Sequence, residues 1–557
     1  MSDSQQAPSP GLVEVRDLSV EFGELRAVDG LSFRLERGAA LALVGESGSG
    51  KSTVASALLG LHRGTGARVD GSVRVAGTDV RAASDEELRR LRGGKAAMVF
   101  QDPLSSLDPY YAIGDQIAEV YRVHTRASRR AARARAVEVL DRVGIPDAVR
   151  RSRSRPHEFS GGMRQRALIA MALACEPELL IADEPTTALD VTVQAQILDL
   201  LHTLRAESGM GLLLVTHDVG VAAESVDEVL VMRHGRAVEH GPVQAVLRAP
   251  AQRYTRELLD AVPRVDAPRA PSRATGEVVL EAKGLRREFG RGKRAFAAVD
   301  DVSVTIRRGE TLGIVGESGS GKTTLGRMLV GLLEPTAGEV RYEGHPAVGV
   351  RPAVQMVFQD PVSSLNPRRS VGESIADPLR ARARGQGALL LGRNRERGRD
   401  EGRIRGRVTE LLERVGLEAA HYDRYPHEFS GGQRQRVGIA RALAADPRVI
   451  VCDEPVSALD VTTQAQVVAL LGELQRELGL ALVFVAHDLA VVRQVSDRVA
   501  VMRRGRLVES GPSDEVYDNP RDPYTQQLLA AVPALDPELA ARRRATRREP
   551  AVTSDRL

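Results

Sequence analysis

The chain is built from two copies of one long unit. Residues 156–166 read PHEFSGGMRQR and residues 426–436 read PHEFSGGQRQR, so ten of eleven positions agree 270 residues apart. A second pair, DEPTTALDVTVQAQ at 183–196 and DEPVSALDVTTQAQ at 453–466, keeps the same spacing. A period of this length corresponds to whole domains and not to the short units of a solenoid. The sequence therefore predicts two related domains in tandem.

Composition narrows the class of protein further. With 42% apolar and 27% charged residues among 557, the chain is typical of a globular protein of more than one domain. A formal net charge of only +4 argues against nucleic acid as a partner. There is neither a basic, apolar leader nor a run of about 18 apolar residues, so we expect a protein that is neither exported nor membrane-spanning. Two cysteines cannot supply the four thiolates of an iron-sulfur cluster, and they indicate the reducing cytoplasm.

The expected domain limits follow from the repeat and from local composition. The segment PRVDAPRAPSRATGE is rich in Pro, Ala and Arg and suits a short linker. The predicted divisions are a disordered N-terminus (1–11), a first domain (12–262), the linker (263–277), a second domain (278–533) and a basic disordered tail (534–557). An Arg- and Gly-rich insertion that starts at Gly392 is expected to form a solvated loop or a helix extension.

Each half carries a glycine-rich segment between an apolar run and a helix-compatible segment. Such a loop wraps backbone N–H groups around an anion at a helix N-terminus. Its lysine reaches the β- and γ-phosphates of a nucleotide, and the following hydroxyl binds Mg²⁺. The predicted ATP-binding residues are Gly45, Glu46, Ser47, Gly48, Ser49, Gly50, Lys51, Ser52 and Thr53, with Gly316, Glu317, Ser318, Gly319, Ser320, Gly321, Lys322, Thr323 and Thr324 in the second half.

An Asp-Glu pair follows an apolar run in each half of the chain. The runs, Leu-Leu-Ile-Ala and Val-Ile-Val-Cys, are typical of central parallel strands. Ligands bind at the C-terminal edge of such sheets. Asp183 and Asp453 are therefore predicted to hold Mg²⁺ through water, and Glu184 and Glu454 to polarise an attacking water. An acidic pair here also suits a helix cap, but the upstream phosphate loop favours the metal site.

His217 and His487 each follow a further apolar run, so they are expected at the same sheet edge. A lone histidine is commonly structural, and metal binding would need other His or Cys nearby. Its recurrence after a matching strand in both halves favours a phosphate contact. The predicted catalytic residues are thus Glu184, His217, Glu454 and His487.

The Phe-Ser-Gly-Gly segments, each followed by Arg-Gln-Arg and an apolar helix, resemble the signature motif of ABC-type ATPases. This resemblance covers residues 12–533. It implies an α/β fold of two P-loop NTPase domains, each with a RecA-like mixed sheet core, an antiparallel β subdomain and a helical subdomain. It also implies that the domains pack head to tail, pairing the P-loop at Lys51 with Ser430 and the P-loop at Lys322 with Ser160.

The resemblance also assigns the remaining contacts to ATP. The Q-loop glutamines are Gln101 and Gln359, and the D-loop aspartates are Asp190 and Asp460. The signature residues are Ser160, Gly161, Gly162, Ser430, Gly431, Gly432 and Gln433. The aromatics expected to stack on adenine are Phe22 and Phe289. Phe296 is an alternative to Phe289 in the second half. The implied Mg²⁺ ligands are Ser52, Gln101, Asp183, Thr323, Gln359 and Asp453. Met163 stands where the second signature has Gln433, so any weaker hydrolysis is expected at the Lys322 P-loop.

Two features resemble the peptide/nickel importer branch of that family. One is the pair of segments QDPLSSLDP and QDPVSSLNP, and the other is the pair of Tyr-Thr-x-x-Leu-Leu segments that lead to Val-Pro. The resemblance implies an ATP-hydrolysing, energy-coupling subunit on the inner face of the cell membrane. Its implied partners are two transmembrane permease subunits and, indirectly, an extracytoplasmic solute-binding protein. The C-terminal cysteine cluster of some members is absent, so no iron-sulfur site is expected.

Three other kinds of ABC ATPase differ from this chain in sequence features. A tandem ABC translation factor on the ribosome would carry a long charged helix pair between its domains, where this chain has about 15 linker residues. A DNA-repair ATPase would need zinc cysteines or large insertions. A sugar-importer ATPase commonly has one degraded site, whereas both halves here keep Lys, Glu and His. The cargo, whether dipeptide, oligopeptide, glutathione or nickel, is left open.

Overall fold

The structure, a computed structural model, describes residues 11–187, 189–266, 276–292, 295–360, 364–385, 394–457, 459–536 and 538–539. By contacts between Cα atoms the chain divides into two compact units. The first unit is Met1–Val262 together with Pro533–Leu557, and the second is Pro263–Val532.

The first unit contains both strands and helices. Its strands are β1 (Val13–Phe22), β2 (Leu25–Leu35), β3 (Ala40–Val44), β4 (Arg68–Val75), β5 (Thr78–Asp79), β6 (Ala96–Val99), β7 (Leu179–Asp183), β8 (Gly211–Thr216), β9 (Glu228–Arg233) and β10 (Arg236–Pro242). Its helices are α1 (Lys51–Leu58), α2 (Asp85–Leu91), α3 (Pro103–Ser106), α4 (Ile113–Thr125), α5 (Arg129–Arg142), α6 (Ala148–Arg151), α7 (Gly161–Leu173), α8 (Val191–Ser208), α9 (Val219–Ser225), α10 (Val243–Arg248) and α11 (Arg253–Asp260).

Two sheets form the framework of this unit. One is antiparallel with strand order β2-β1-β4-β5, and the other has six strands in the order β10-β9-β3-β8-β7-β6. Strands β9, β3, β8, β7 and β6 are parallel to one another, and β10 runs antiparallel to β9. The phosphate loop, the acidic pair and His217 each follow a parallel strand of this sheet, so they share its C-terminal edge.

Strand β3 shows why the mixed sheet is central. All five of its residues are buried. Successive side chains of a strand point to opposite faces. Leu41 and Leu43 therefore pack with the antiparallel sheet and α1, whereas Ala42 and Val44 pack with the helices on the other face. A continuous apolar run, rather than an alternating one, is what a sheet covered on both faces requires.

The second unit repeats this architecture. Its strands are β11 (Val278–Phe289), β12 (Phe296–Arg307), β13 (Thr311–Val315), β14 (Ala337–Tyr342), β15 (His345–Pro346), β16 (Val354–Val357), β17 (Val449–Asp453), β18 (Ala481–Val485), β19 (Arg498–Arg503) and β20 (Arg506–Pro512). Its helices are α12 (Lys322–Leu329), α13 (Val371–Gly385), α14 (Asn394–Arg414), α15 (Gly431–Leu443), α16 (Val461–Leu478), α17 (Leu489–Val495), α18 (Ser513–Asp518) and α19 (Pro523–Ala531). The sheet orders are β12-β11-β14-β15 and β16-β17-β18-β13-β19-β20. The predicted α/β class, with mixed core, antiparallel sheet and helical subdomain, is confirmed in both units.

The described part of the Arg- and Gly-rich insertion, from Asn394 onward, is helical. Helix α14 spans 21 residues and contains most of the Arg- and Gly-rich segment. Glu401 on this helix accepts two hydrogen bonds from the guanidinium of Arg380, each 3.0 Å long. The helix-extension alternative therefore describes the segment, and a two-point ion pair attaches it to α13.

The contacts near the chain's end differ from the predicted division. Within the first unit, the backbone N–H of Ala534 donates to the buried carboxylate of Glu224 at 3.3 Å. Arg248 donates to Glu538 at 2.9 Å, and Leu535 packs against the core of this unit. The first residues of the predicted disordered tail 534–557 are thus packed, because one apolar side chain and two hydrogen-bonded groups hold them. Residue 537 and residues 540–557 lie outside the described residues, as do residues 1–10 of the predicted N-terminus and 267–275 of the linker.

None of the helices in the described ranges is long and apolar enough to cross a lipid bilayer.

Candidate nucleotide site

The glycine-rich loop of each unit encloses its lysine. The ammonium of Lys51 donates to the carbonyls of Gly45 and Glu46, at 2.7 and 2.8 Å, and to Ser49 Oγ at 3.3 Å. Lys322 makes the same two carbonyl contacts, to Gly316 and Glu317, at 2.7 and 2.8 Å. Both lysines are 5% exposed. An enclosed cation beside a helix start is a ready anion site, as the sequence predicts.

Gly50 shows why this loop needs glycine. Its φ is +97°, and a Cβ atom placed there would lie 2.4 Å from the carbonyl oxygen of Ala27. The repeat partner Gly321 has φ +104° and the same conflict at 2.2 Å with Ala298. No side chain fits at either position, so the loop can pass close to the neighbouring hairpin only with glycine.

A hydroxyl and a carboxylate meet beside each lysine. Ser52 Oγ donates to Asp183 Oδ1 at 3.0 Å, and Thr323 Oγ1 donates to Asp453 Oδ1 at 3.0 Å. Burial raises the pKa of both carboxyl groups above the usual value. A buried carboxylate with a hydroxyl at its side is stabilised by a nearby divalent cation, and oxygen ligands are those that Mg²⁺ prefers. The residues present therefore fit the predicted Mg²⁺ site.

Glu184 and Glu454 occupy a strained backbone position. Each has φ +46°, in the left-handed region that glutamate rarely adopts. Such a conformation costs roughly 1–3 kcal/mol and persists only where the surroundings impose it. Here the N–H of each glutamate donates to a strand carbonyl, Val215 or Val485, at 2.8 Å. The strand therefore holds the carboxylate at the sheet edge.

Each strained glutamate meets a histidine and a glutamine. In the first unit, His217 Nδ1 lies 3.1 Å from Glu184 Oε1, and Gln101 Nε2 donates to Glu184 Oε2 at 2.8 Å. In the second, His487 Nδ1 lies 3.2 Å from Glu454 Oε2, which also accepts from Gln359 at 2.9 Å. The structure thus brings the predicted glutamate, histidine and Q-loop residues together in both units.

The glutamate–histidine pairs shift each other's protonation. Burial by itself would raise the pKa of Glu184, but the hydrogen bond and charge of His217 hold it below its usual value. Burial would lower the pKa of His217, but the hydrogen bond and charge of Glu184 raise it. Glu454 and His487 shift in the same directions for the same reasons. The arrangement keeps an ionised carboxylate next to the phosphate loop, where a water could be polarised.

The signature motifs begin helices α7 and α15. Ser160 Oγ accepts the N–H of Met163 at 3.3 Å, and Ser430 Oγ accepts the N–H of Gln433 at 3.3 Å. Of the two helices, α15 has a complete capping box, because Gln433 Oε1 also accepts the N–H of Ser430 at 3.0 Å. Gln433, predicted as an ATP contact, therefore has a capping contact in its own helix. In the described residues, no hydrogen bond joins either signature serine to the P-loop of its own unit.

The second signature glycine is fixed by packing. A Cβ atom on Gly162 would lie 2.4 Å from Val193, and one on Gly432 would lie 2.2 Å from Thr463. The signature helix therefore packs closely on the helix that follows the D-loop, α8 or α16. Asp460 caps α16 by accepting the N–H of Thr463 at 3.0 Å, and Asp190 is the residue before α8. The D-loop alanines Ala188 and Ala458 lie outside the described residues.

The candidate adenine-stacking aromatics lie at hairpin ends. Phe22 is 38% exposed and contacts His62 edge-on at 5.4 Å between ring centroids. Phe289 and Phe296 face each other in register across β11 and β12, with centroids 5.9 Å apart. The two candidates of the second half, Phe289 and Phe296, thus lie side by side at the same hairpin end. Phe296 is the more exposed of the two, at 61%.

Some contacts of the site were missed by sequence reasoning. Tyr524 Oη accepts the N–H of Glu317 at 3.1 Å, so the C-terminal helix α19 supports the second phosphate loop. Thr187 Oγ1 donates to Glu184 Oε2 at 2.9 Å. The recurrence of Tyr254 and Tyr524 in both halves was visible in the sequence as a family marker only. The hydroxyl of Thr187 gave no separate signal, because it lies within a motif attributed to its neighbours.

A lysine-bearing phosphate loop, a hydroxyl–carboxylate pair and a glutamate–histidine pair at one sheet edge define a P-loop nucleoside triphosphatase. Comparison with known proteins specifies the class. The ABC transporter family profile matches residues 28–187 and 299–457. A second profile, oligopeptide/dipeptide transporter C-terminal region, matches residues 238–289 and 508–555.

Characterised relatives agree with this placement. The glutathione import ATP-binding proteins GsiA of Salmonella choleraesuis and of Escherichia coli K12 are each 45% identical to this chain, over 96% of its length and 92% of theirs. The chain therefore belongs to the ABC transporter family, as an ATP-hydrolysing subunit of an import system. No comparison supports the ribosomal alternative.

Two solved structures that are similar to this chain each cover less than half of it. CbiO1 from Clostridium perfringens is 30% identical over 44% of this chain and 92% of its own, with a TM-score of 0.37. The cassette MJ0796, in a dimer bound to ADP and phosphate, is 28% identical over 41% of this chain and 98% of its own, with a TM-score of 0.38.

Proposed function

We propose that this ATPase drives the import of glutathione or a closely related small peptide. The relatives that align over nearly the whole chain are named for glutathione import. The observation that supports the ATP-driven part of the proposal is that both units retain the enclosed lysine, the hydroxyl–aspartate pair and the glutamate–histidine pair. Two complete sites suit a subunit that uses ATP in both halves.

The groups divide the work of hydrolysis. Lys51 and Lys322 bind the β- and γ-phosphates, and Glu184 and Glu454 polarise the attacking water. His217 and His487 hold those carboxylates and contact the γ-phosphate. Mg²⁺, when bound at the Ser52–Asp183 and Thr323–Asp453 pairs, neutralises developing phosphate charge.

Each site takes its signature from the other domain. Ser160 and Ser430 start helices whose first N–H groups point away from the helix body, which makes each helix start an anion site. On the family resemblance alone, we assign Ser430 to the nucleotide on Lys51 and Ser160 to the nucleotide on Lys322. One chain then forms two composite sites.

The surface beside Gln101 suits a membrane partner. Leu104, Tyr110 and Tyr111 are 61%, 80% and 62% exposed on the segment that follows this glutamine. Exposed apolar side chains that cluster on one short segment are a feature of interaction surfaces. We assign this surface to contact with one permease subunit. Gln101 would then link permease contact to Glu184, to which it donates.

The corresponding surface of the second unit has different chemistry. Arg368 and Arg369 stand where the first unit has Tyr110 and Tyr111, and Arg369 forms an ion pair with Asp377 at 2.6 Å. A cavity of about 420 Å³ lies nearby, lined by residues that include Leu332 and Phe358. Unlike surfaces favour two different permease subunits, with the chain bound at the inner face of the membrane. A solute-binding protein outside the membrane would deliver the cargo.

Uptake by reconstituted vesicles tests the cargo. Vesicles that contain the permease subunits, this chain and ATP inside are expected to accumulate radiolabelled glutathione when the binding protein is supplied outside. Unlabelled glutathione should compete, and an unrelated dipeptide should not. The same vesicles with Lys51→Ala and Lys322→Ala are the control. Uptake of the dipeptide in preference to glutathione would contradict the proposed cargo while leaving the import role intact.

A further inference from the structure

The two catalytic carboxylates are held differently. In the first unit both oxygens of Glu184 are bound, Oε1 by His217 and Oε2 by Gln101 and Thr187. In the second unit His487 and Gln359 both reach Oε2 of Glu454. In the part of the chain that the structure describes, Oε1 of Glu454 accepts no hydrogen bond. The two units thus differ in how firmly the side chain that polarises water is oriented.

The difference originates at one repeat position. Thr187 and Ser457 are equivalent, three residues after their glutamates. Thr187 Oγ1 donates to the carboxylate of Glu184 at 2.9 Å, whereas Ser457 Oγ donates to the main-chain carbonyl of Glu454 at 3.2 Å. A β-branched side chain is restricted at χ1, and serine bonds readily to the carbonyl three residues before it. Threonine and serine differ by one methyl group, and in this pair the hydroxyl with the methyl group bonds the carboxylate while the other bonds the main chain.

We propose that Thr187 is a positioning residue for Glu184, and that the Glu454 site, where serine replaces it, hydrolyses ATP more slowly. The inference rests on the proposed role of the two glutamates as the groups that polarise water. A carboxylate held at both oxygens is preorganised for its water, and a side chain held at one oxygen must be ordered during the reaction. Thr187 lies on the same short loop as Glu184, so its bond to that carboxylate does not depend on the position of Gln101.

Turnover and affinity separate positioning from a structural role. Thr187→Val removes the hydroxyl with little change of shape, and kcat is expected to fall about three- to ten-fold, the worth of one hydrogen bond. KM for ATP should change less than about two-fold, because Thr187 donates to Glu184 and is not among the predicted ATP contacts. Ser457→Ala is the matched control, and its kcat should stay within about two-fold, since its hydroxyl contacts only the main chain. Thermal unfolding of each variant establishes that it is folded.

An exchange of the two residues gives the decisive comparison. In the natural chain, Glu184→Gln alone is expected to cost more turnover than Glu454→Gln alone. In the chain that carries Thr187→Ser and Ser457→Thr, this order should reverse. Met163 is unchanged in both chains, so it cannot cause the reversal. An unchanged order, or an unchanged kcat for Thr187→Val while Glu184→Gln slows hydrolysis, would overturn the inference. Normal turnover in both glutamate variants would instead overturn the role of the glutamates, and the inference with it.

Discussion

Replacement of Glu184 and Glu454 together by glutamine is expected to leave ATP binding intact and to slow hydrolysis about 10²- to 10⁴-fold. Glutamine has the shape of glutamate, so the contacts with His217 and Gln101 can persist, but it cannot accept a proton or polarise a water as a carboxylate does. The measurement is single-turnover hydrolysis together with equilibrium binding of ATP. Bound, uncleaved ATP should accumulate on the double variant.

A matched control exists in the same repeat. Glu207 and Glu477 occupy equivalent positions near the ends of α8 and α16, are 54% and 58% exposed, and pair with surface arginines. The double replacement Glu207→Gln and Glu477→Gln makes the same chemical change far from the phosphate loop. Its turnover should match that of the natural chain. Near-normal hydrolysis in the Glu184/Glu454 double variant would show that another group polarises the water.

Loss of both P-loop lysines is expected to have an equally large effect at an earlier step. With Lys51→Ala and Lys322→Ala, Kd for ATP should rise about ten- to a hundred-fold, because a charge-assisted hydrogen bond to phosphate is lost. Hydrolysis should fall at least as far. Titration with ATP in a calorimeter, followed by a turnover assay, measures both.

Arginine should not rescue this defect. The ammonium of Lys51 fits between carbonyls 2.7 and 2.8 Å away in an enclosed loop, and a planar guanidinium is too large for that space. Lys51→Arg with Lys322→Arg is thus expected to resemble the alanine variant. Lys283→Ala is the control, since this exposed lysine pairs with Glu281 at 3.1 Å and belongs to neither phosphate loop. Normal affinity in the arginine variant would mean that charge, and not fit, determines binding.

Local sequence was enough to locate much of the site. Asp183 and His217 each follow a short, mainly apolar run, and such runs become central parallel strands whose ends meet at one edge. The lysine of each glycine-rich loop could be placed because the loop's function depends on main-chain geometry that glycine permits. The fold class followed from the same runs and from the repeat.

Contacts between distant segments could not be predicted in this way. The Tyr524 hydroxyl meets Glu317 across about 200 residues of chain, and only the packing of α19 brings them together. The buried contact of Ala534 with Glu224 spans 310 residues and replaces part of a tail predicted to be disordered. The strained φ of Glu184 depends on its bond to Val215 in a neighbouring strand. Side-chain choices such as that of Ser457 depend on rotamers that a sequence motif does not specify.

The rate of ATP hydrolysis by the purified chain, before and after addition of its membrane partners, tests the central claim most directly. If hydrolysis is coupled to import, the chain alone should have a low rate, because permease contact and ATP binding are then linked and each promotes the other. The rate should rise when the permease subunits and a binding protein loaded with glutathione are present. A rate that does not respond to the permease subunits, and rises with ribosomes instead, would contradict the account.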